Sequence, residues 1–230
     1  VMVGVGALAM GLASGVYFVA ANPLVSELYP GRVGWALGVH GMASQIAAVA
    51  AAPIVTLVLS LFFEWRVVFA GIAVAAAVVT LALYVAARRT TLPDAGTDDR
   101  DLVGAIRSQW PIVGLGVLVV GTTGFVWQGL FNFYELYMQS KALSGGEAGA
   151  LLTLVFAAGV PAFYVGGDLA ERLPHVPYIL GIVGSFGVCV YLLTLVDELP
   201  LLVLVTACIG FFAHALFPAT DTYVLDTLPD

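Results

Sequence analysis

The stretch "RVVFAGIAVAAAVVTLALYVAARR", residues 66–89, decides the fold. Between Arg66 and Arg88 it carries no charge, and its only polar groups are the Thr80 hydroxyl and the Tyr84 phenol. A helix rises about 1.5 Å per residue, so about 20 apolar residues cross the hydrocarbon core of a bilayer. Blocks of the same kind fill the chain: about 3–25, 35–62, 66–87, 111–137, 148–167, 176–196 and 200–222. Backbone in lipid must satisfy its own hydrogen bonds, and a barrel would show short alternating segments instead. The expected fold is an all-α integral membrane protein, a polytopic bundle of seven transmembrane helices.

Composition agrees. The chain is 61% hydrophobic and 10% charged, with a mean hydropathy of +1.02. A soluble domain carries about a quarter charged residues, so no solvated surface can be assembled here. Its 8 basic against 15 acidic residues argue against nucleic acid as a partner. Cys189 and Cys208 both fall inside apolar blocks, where thiols act as small core residues. Small residues recur at the i,i+4 spacing that lets membrane helices approach: Gly11/Gly15, Gly34/Gly38 and Ala47/Ala51. An apolar run begins at Val1 without a basic leader, and the chain stops just after a block, so a fragment of a longer protein is expected.

If the blocks alternate direction, one set of loops holds Arg32, Arg88, Arg89, Arg100, Arg107 and Arg172, and the other holds Arg66 and Lys141. The positive-inside rule puts the first set in the cytoplasm. The loop 89–110 is then cytoplasmic, in a multi-pass protein expected in the cell (plasma) membrane. Within it, Asp98 or Asp99 could cap a short helix running to Arg107, either as part of a solvated linker or lying in the interface.

Two turns share a skeleton of an acidic residue, two others and a proline. They are "SELYPGR" at 26–32 and "LDTLPD" at 225–230, with Glu27 and Asp226 lying 199 positions apart. The same offset pairs Gly11 with Gly210, Gly15 with His214, and Asn22 with Asp221. With "GGDLAERLP" at 166–174 and "EWRVVF" at 64–69, these stretches resemble the major facilitator superfamily (MFS) of secondary transporters. In "GGDLAERLP", Gly167, Leu169, Ala170, Glu171 and Arg172 align with the turn pattern G-x-L-A-D-R-x-G. Glu171 replaces the usual aspartate, and Leu173–Pro174 replace the end of the motif. Trp65, Arg66 and Phe69 match the start of helix six.

The resemblance implies helices four to ten of twelve. Residues 1–88 would end the N-terminal six-helix half (helices four to six), 89–110 would be the cytoplasmic central loop, and 111–230 would begin the C-terminal half (helices seven to ten). Helices four and ten would be equivalent members of two related halves, which accounts for the 199-residue offset. Drug–proton antiporters of this superfamily often carry G-P-x-x-G-G in helix five. Here Ala52–Leu57 keeps only Pro53.

The implied function is secondary active transport of a small solute by alternating access, coupled to an ion or a proton. Intramembrane polar groups tend to face the bundle interior. The candidate substrate and coupling residues are Tyr17, Asn22, Gln128, Asn132, Glu135, His214 and Asp221. Gln128, Asn132 and Glu135 share one helical face, as do His214, Pro218 and Asp221. Trp127 and Phe131 could stack on a substrate, whereas His40 and Ser44 read as packing. A cytoplasmic gate is expected from Glu27, Arg32, Gly167, Glu171, Arg172 and Asp226, with Arg172 paired to Asp226. Pro23, Pro53, Pro161 and Pro218 could hinge their helices. The alternative is a seven-helix receptor or sensor. A retinal protein is excluded, because the sole lysine, Lys141, lies in a loop. No H-E-x-x-H, Cys/His cluster, G-x-S-x-G or nucleotide loop supports an enzyme or a cofactor.

Overall fold

The structure, a computed structural model, describes residues 2–90 and 110–227 together with Gly104 and Arg107. Seven long helices account for almost all of them: α1 Met2–Leu28, α2 Val33–Phe62, α3 Trp65–Arg89, α4 Trp110–Ser140, α5 Gly145–Arg172, α6 His175–Leu195 and α7 Leu199–Thr227. No strand occurs among the described residues. Apart from α4, each helix is long and apolar enough to cross a bilayer. α4, with 31 residues, has ample length for a seventh crossing. The short helix expected before Arg107 lies outside the described residues, apart from Gly104 and Arg107, which are helical.

Every helix except α2 and α6 outruns its apolar block at both ends, because capping, not hydropathy, sets where it stops. Ser144 and Glu147 form a reciprocal capping box that starts α5 three residues before its apolar run. α2 ends where Phe63 enters the left-handed region at φ 55° and its N–H closes on the Leu59 carbonyl. Glu64 then accepts from Arg66 N–H and caps α3. Pro23, Pro53, Pro161 and Pro218 all lie inside continuous helices.

Packing is uneven. The buried clusters belong entirely to α4–α7: Tyr134, Met138, Leu151, Val155, Leu202 and Ile209 anchor one, and Ala162, Ile182, Ala215 and Ala219 the other. α5 and α7 form the most extensive contact, followed by α2 with α5. α3 buries none of its residues, as suits a helix facing lipid. The C-terminal end of α4 is pinned by the buried Tyr134 hydroxyl on the Thr206 hydroxyl. Beyond it, Lys141 Nζ donates to Asp197 Oδ1 at 2.7 Å and to Val196 O at 2.9 Å. The Asp197 hydrogen bond raises the Lys141 pKa above the ordinary lysine value.

The α1–α2 turn with Arg32, the end of α3 with Arg88 and Arg89, and the α5–α6 turn with Arg172 mark one end of the bundle. This arginine-rich end is where α2 meets α5. Of the three small-residue pairs, only Gly34/Gly38 makes the close approach. A Cβ on Gly34 would stand 2.6 Å from Gly167 O, and one on Gly38 would stand 2.4 Å from Phe163 O. Gly11 and Gly15 have nothing within 4 Å of a Cβ position, and Ala47 and Ala51 are exposed. Beyond Gln45, no residue of α2 is buried, so α2 and α5 part toward the opposite end.

Candidate functional site: the crossing of α1, α2, α5 and α7

Glycine rows create the crossing by letting backbone touch backbone. A Cβ on Gly167 would fall 2.2 Å from Gly34 O and 3.1 Å from Gly38 Cα. At the α5–α7 crossing, one on Gly210 would fall 2.4 Å from Val155 O, and one on Gly159 would fall 2.8 Å from the His214 ring.

Polar contacts sit on this frame. Asn22 Nδ2 of α1 donates to Asp221 Oδ2 of α7 at 3.0 Å, so the two positions related by the 199-residue offset meet each other. About a turn and a half toward the N-terminus of α1, Tyr17 and His40 Nε2 of α2 are hydrogen-bonded at 3.0 Å. The start of α2 has no side-chain cap of its own. Instead Glu171 Oε1, reaching across from the end of α5, accepts the Trp35 N–H at 2.8 Å. A carboxylate at a helix N-terminus satisfies an orphan donor and meets the positive end of the helix dipole. Arg32 adds its guanidinium 4.5 Å above the Trp35 ring.

The expected Arg172–Asp226 pair does not form. Arg172 Nη2 donates to Asp168 Oδ1 at 2.8 Å, one turn back on its own helix, and Asp226 Oδ2 lies 3.2 Å from His175 Nε2 at the start of α6. An i,i+4 partner is reached with less loss of side-chain freedom than one on another helix, and Asp226 finds the nearer imidazole. Glu27 is exposed.

The candidates on α4 face open space. Asn132 Nδ2 donates to Gln128 O at 2.8 Å and to Gln128 Oε1 at 3.1 Å. Glu135 is also exposed, and its Oε1 lies 3.4 Å from the Cβ position of Gly149.

His214 is different. It is fully buried, and its Nδ1 lies 2.7 Å from the Gly210 carbonyl oxygen. A carbonyl only accepts, so Nδ1 carries the proton. Nε2 has no partner among the described residues. The rings of Trp127, Phe156, Phe163 and Phe131 stand around it, with centroids 4.9, 6.0, 5.9 and 6.2 Å away.

Seven long helices thus pack around a glycine-lined crossing at which Asn22 of α1 meets Asp221 of α7. The sequence matches the family model of the Major Facilitator Superfamily over residues 2–230. The chain belongs to this superfamily. It is a multi-pass membrane protein and a membrane transporter; members sit in lipid and bind small-molecule substrates. Compared with the curated proteins and with the solved structures, this superfamily member finds no match in either.

Three contacts of this transporter escaped the sequence reading: the Glu171 cap on α2, the His40–Tyr17 hydrogen bond and the seating of Phe163 on Gly41. The last had a signal in the sequence. Gly41 continues the row begun by Gly34 and Gly38 on one helical face.

Proposed function

We propose that this transporter is a secondary active carrier working by alternating access, with α1–α3 and α4–α7 belonging to two halves that rock against each other. The arginine-rich end, including the loop 89–110, faces the cytoplasm of a cell whose plasma membrane holds the protein. The arrangement is the state closed on that side. The observation that carries this reading is that α1 and α2 meet α5 and α7 only toward the arginine-rich end. The contacts there are the Gly34/Gly38–Gly167 seam, the Asn22–Asp221 hydrogen bond and the Glu171 cap.

Asp221 is the coupling group. A carboxylate within a membrane span needs a proton, a cation or a hydrogen-bonded partner, and here Asn22 is that partner. Losing or gaining charge at Asp221 changes what the Asn22 carboxamide can hold, and so ties ion binding to separation of α1 from α7. Tyr17, Gln128, Asn132 and Glu135 supply the neutral and acidic contacts for a small polar solute. Arg32, Gly167, Glu171, Arg172 and Asp226 form the inner gate region through the partners described above, and the exposed Glu27 belongs to the same region.

Full-length protein in proteoliposomes loaded with a pH-sensitive dye tests this. Amino acids, sugars, organic acids and organic cations are added in turn outside. At least one class should drive a proton flux that disappears in Asp221→Asn, while that variant stays monodisperse. Flux unchanged in Asp221→Asn would remove the residue from coupling, and no solute-dependent proton movement at all would remove proton coupling.

A further inference from the structure

Phe163 occupies an unusual position. It is 8% exposed and belongs to α5, yet its ring fills the place where Gly41 of α2 lacks a side chain. A Cβ on Gly41 would stand 2.2 Å from both Cδ1 and Cε1 of that ring. Its carbonyl oxygen lies against Gly38. Phe163 is therefore a knob from one group of helices seated in a glycine socket of the other. The seat lies at the outward limit of the glycine seam, short of where α2 and α5 part.

The same ring belongs to a connected cluster. It stacks on Phe217 with centroids 5.9 Å apart and planes 14° from parallel, and it stands 5.9 Å from His214. Phe217 and His214 both touch Trp127 of α4, at 5.0 and 4.9 Å, and Trp127 touches Phe131 at 4.1 Å. Gln128, next to Trp127, is exposed. The rings thus run without a break from the open face of α4 to the socket on α2. His214 is the hub. Gly159 leaves no room behind its ring, and Nδ1 is tied to the Gly210 carbonyl, so its orientation is fixed by α5 and α7 together.

We propose that Phe163 is the plug closing the path between the solute-contacting face of α4 and the arginine-rich end, and that His214 is the positioning residue holding the plug in its Gly41 socket. This rests on the alternating-access reading and assigns the gate's hydrophobic part to a residue outside its charged motif. Packed cores have discrete arrangements and do not deform continuously. A solute that moves Trp127 or Phe131 changes the support of His214 and Phe217, and through them the seat of Phe163. His214 then serves by shape and orientation, without carrying the coupling proton.

The test uses full-length protein in nanodiscs, with Cys189 and Cys208 replaced and a single reporter, Gln128→Cys. Labelling by a bulky, water-soluble maleimide is followed while a second reagent bound to the outer face blocks that side. Phe163→Ala should raise the labelling rate about tenfold, and Phe163→Leu, which keeps a bulky knob, should raise it less. Gly41→Ala should also raise it, because the methyl group takes the ring's place. His214→Phe should stay near the unmodified rate, since it keeps a ring at the hub, whereas His214→Ala should resemble Phe163→Ala. The double variant Phe163→Ala/His214→Ala should label no faster than either single one. Unchanged labelling in both Phe163→Ala and Gly41→Ala would overturn the plug. Multiplying effects in the double variant, or His214→Phe behaving like His214→Ala, would overturn the positioning role. Labelling needs no transported solute, so an absence of solute-driven proton flux in the unmodified protein would remove proton coupling alone and leave the plug standing.

Discussion

α1 and α7 share a sequence register at an offset of 199 residues, yet they are packed in opposite ways. Gly11 and Gly15 of α1 face open space, while their counterparts Gly210 and His214 sit against Val155 and Gly159 of α5. α1 has no buried residue among those described, whereas α7 buries Leu202, Ile209, His214 and Ala215 almost completely. The two helices agree at one level only, where Asn22 and Asp221 are hydrogen-bonded to each other. A shared register in sequence therefore does not bring a shared environment. The same glycine is a spacer in one helix and a structural necessity in the other.

The largest effect expected from breaking this comparison is at Gly210. A methyl group there would meet Val155 O at 2.4 Å and Val155 Cα at 2.8 Å. These are backbone atoms that cannot turn aside, so α5 and α7 must separate. Overpacking of this kind costs about 1–3 kcal/mol. Gly210→Ala should lower the thermal unfolding midpoint in detergent by several degrees, read by loss of the monodisperse peak after heating. A midpoint equal to that of the unmodified protein would mean that the α5–α7 contact is looser than described.

How far the sequence could foresee this divides along physical lines. The existence and number of spans were legible, because lipid forces every backbone group into a helix and about 20 apolar residues follow. The ends were not, because polar caps such as Ser144 with Glu147 carry helices past the apolar run. The offset of 199 put Asn22 and Asp221 in register, but that they touch depends on how α1 packs beside α7, which no spacing reveals. The charged pair drawn between Arg172 and Asp226 fails because Asp168, one turn back on α5, was nearer than any interhelical partner. His214 was a candidate coupling residue, and nothing in its spacing showed that it is buried. Its burial comes from Gly159 and four surrounding rings, all tertiary neighbours.

A second break acts on the one level where the helices agree. Asn22→Leu removes the donor and leaves the Asp221 carboxylate in a part-buried place without it. Leaving a buried acceptor unsatisfied costs about 1–3 kcal/mol. The exchange variant Asn22→Asp/Asp221→Asn restores one carboxamide and one carboxylate with their roles reversed. If the two positions are equivalent about the junction, the exchange should recover most of the stability lost in Asn22→Leu. A double-mutant cycle on the two exchange substitutions should then give a coupling of about 0.5–3 kcal/mol. Independent, additive effects of the two substitutions would show that the positions meet without being equivalent.

The smallest effect sharpens the comparison most directly, since it asks the question of Gly210 at its partner. Gly11 has nothing within 4 Å of a Cβ position, so Gly11→Ala adds a methyl group to empty space. Alanine holds a helix better than glycine by about 0.5–1 kcal/mol, because it restricts the unfolded chain more. Where a residue is already constrained to helix by the membrane, much of that gain is absent, so the expected change is within about 0.5 kcal/mol and of stabilising sign. The two substitutions are chemically identical and differ only in what the added carbon meets. A Gly11→Ala loss as large as that of Gly210→Ala would mean that α1 has a close neighbour at Gly11, and the asymmetry between the two helices would disappear. A neutral Gly11→Ala beside a costly Gly210→Ala would locate the rigid side of the junction in α5 and α7, leaving α1 to move against it through Asn22.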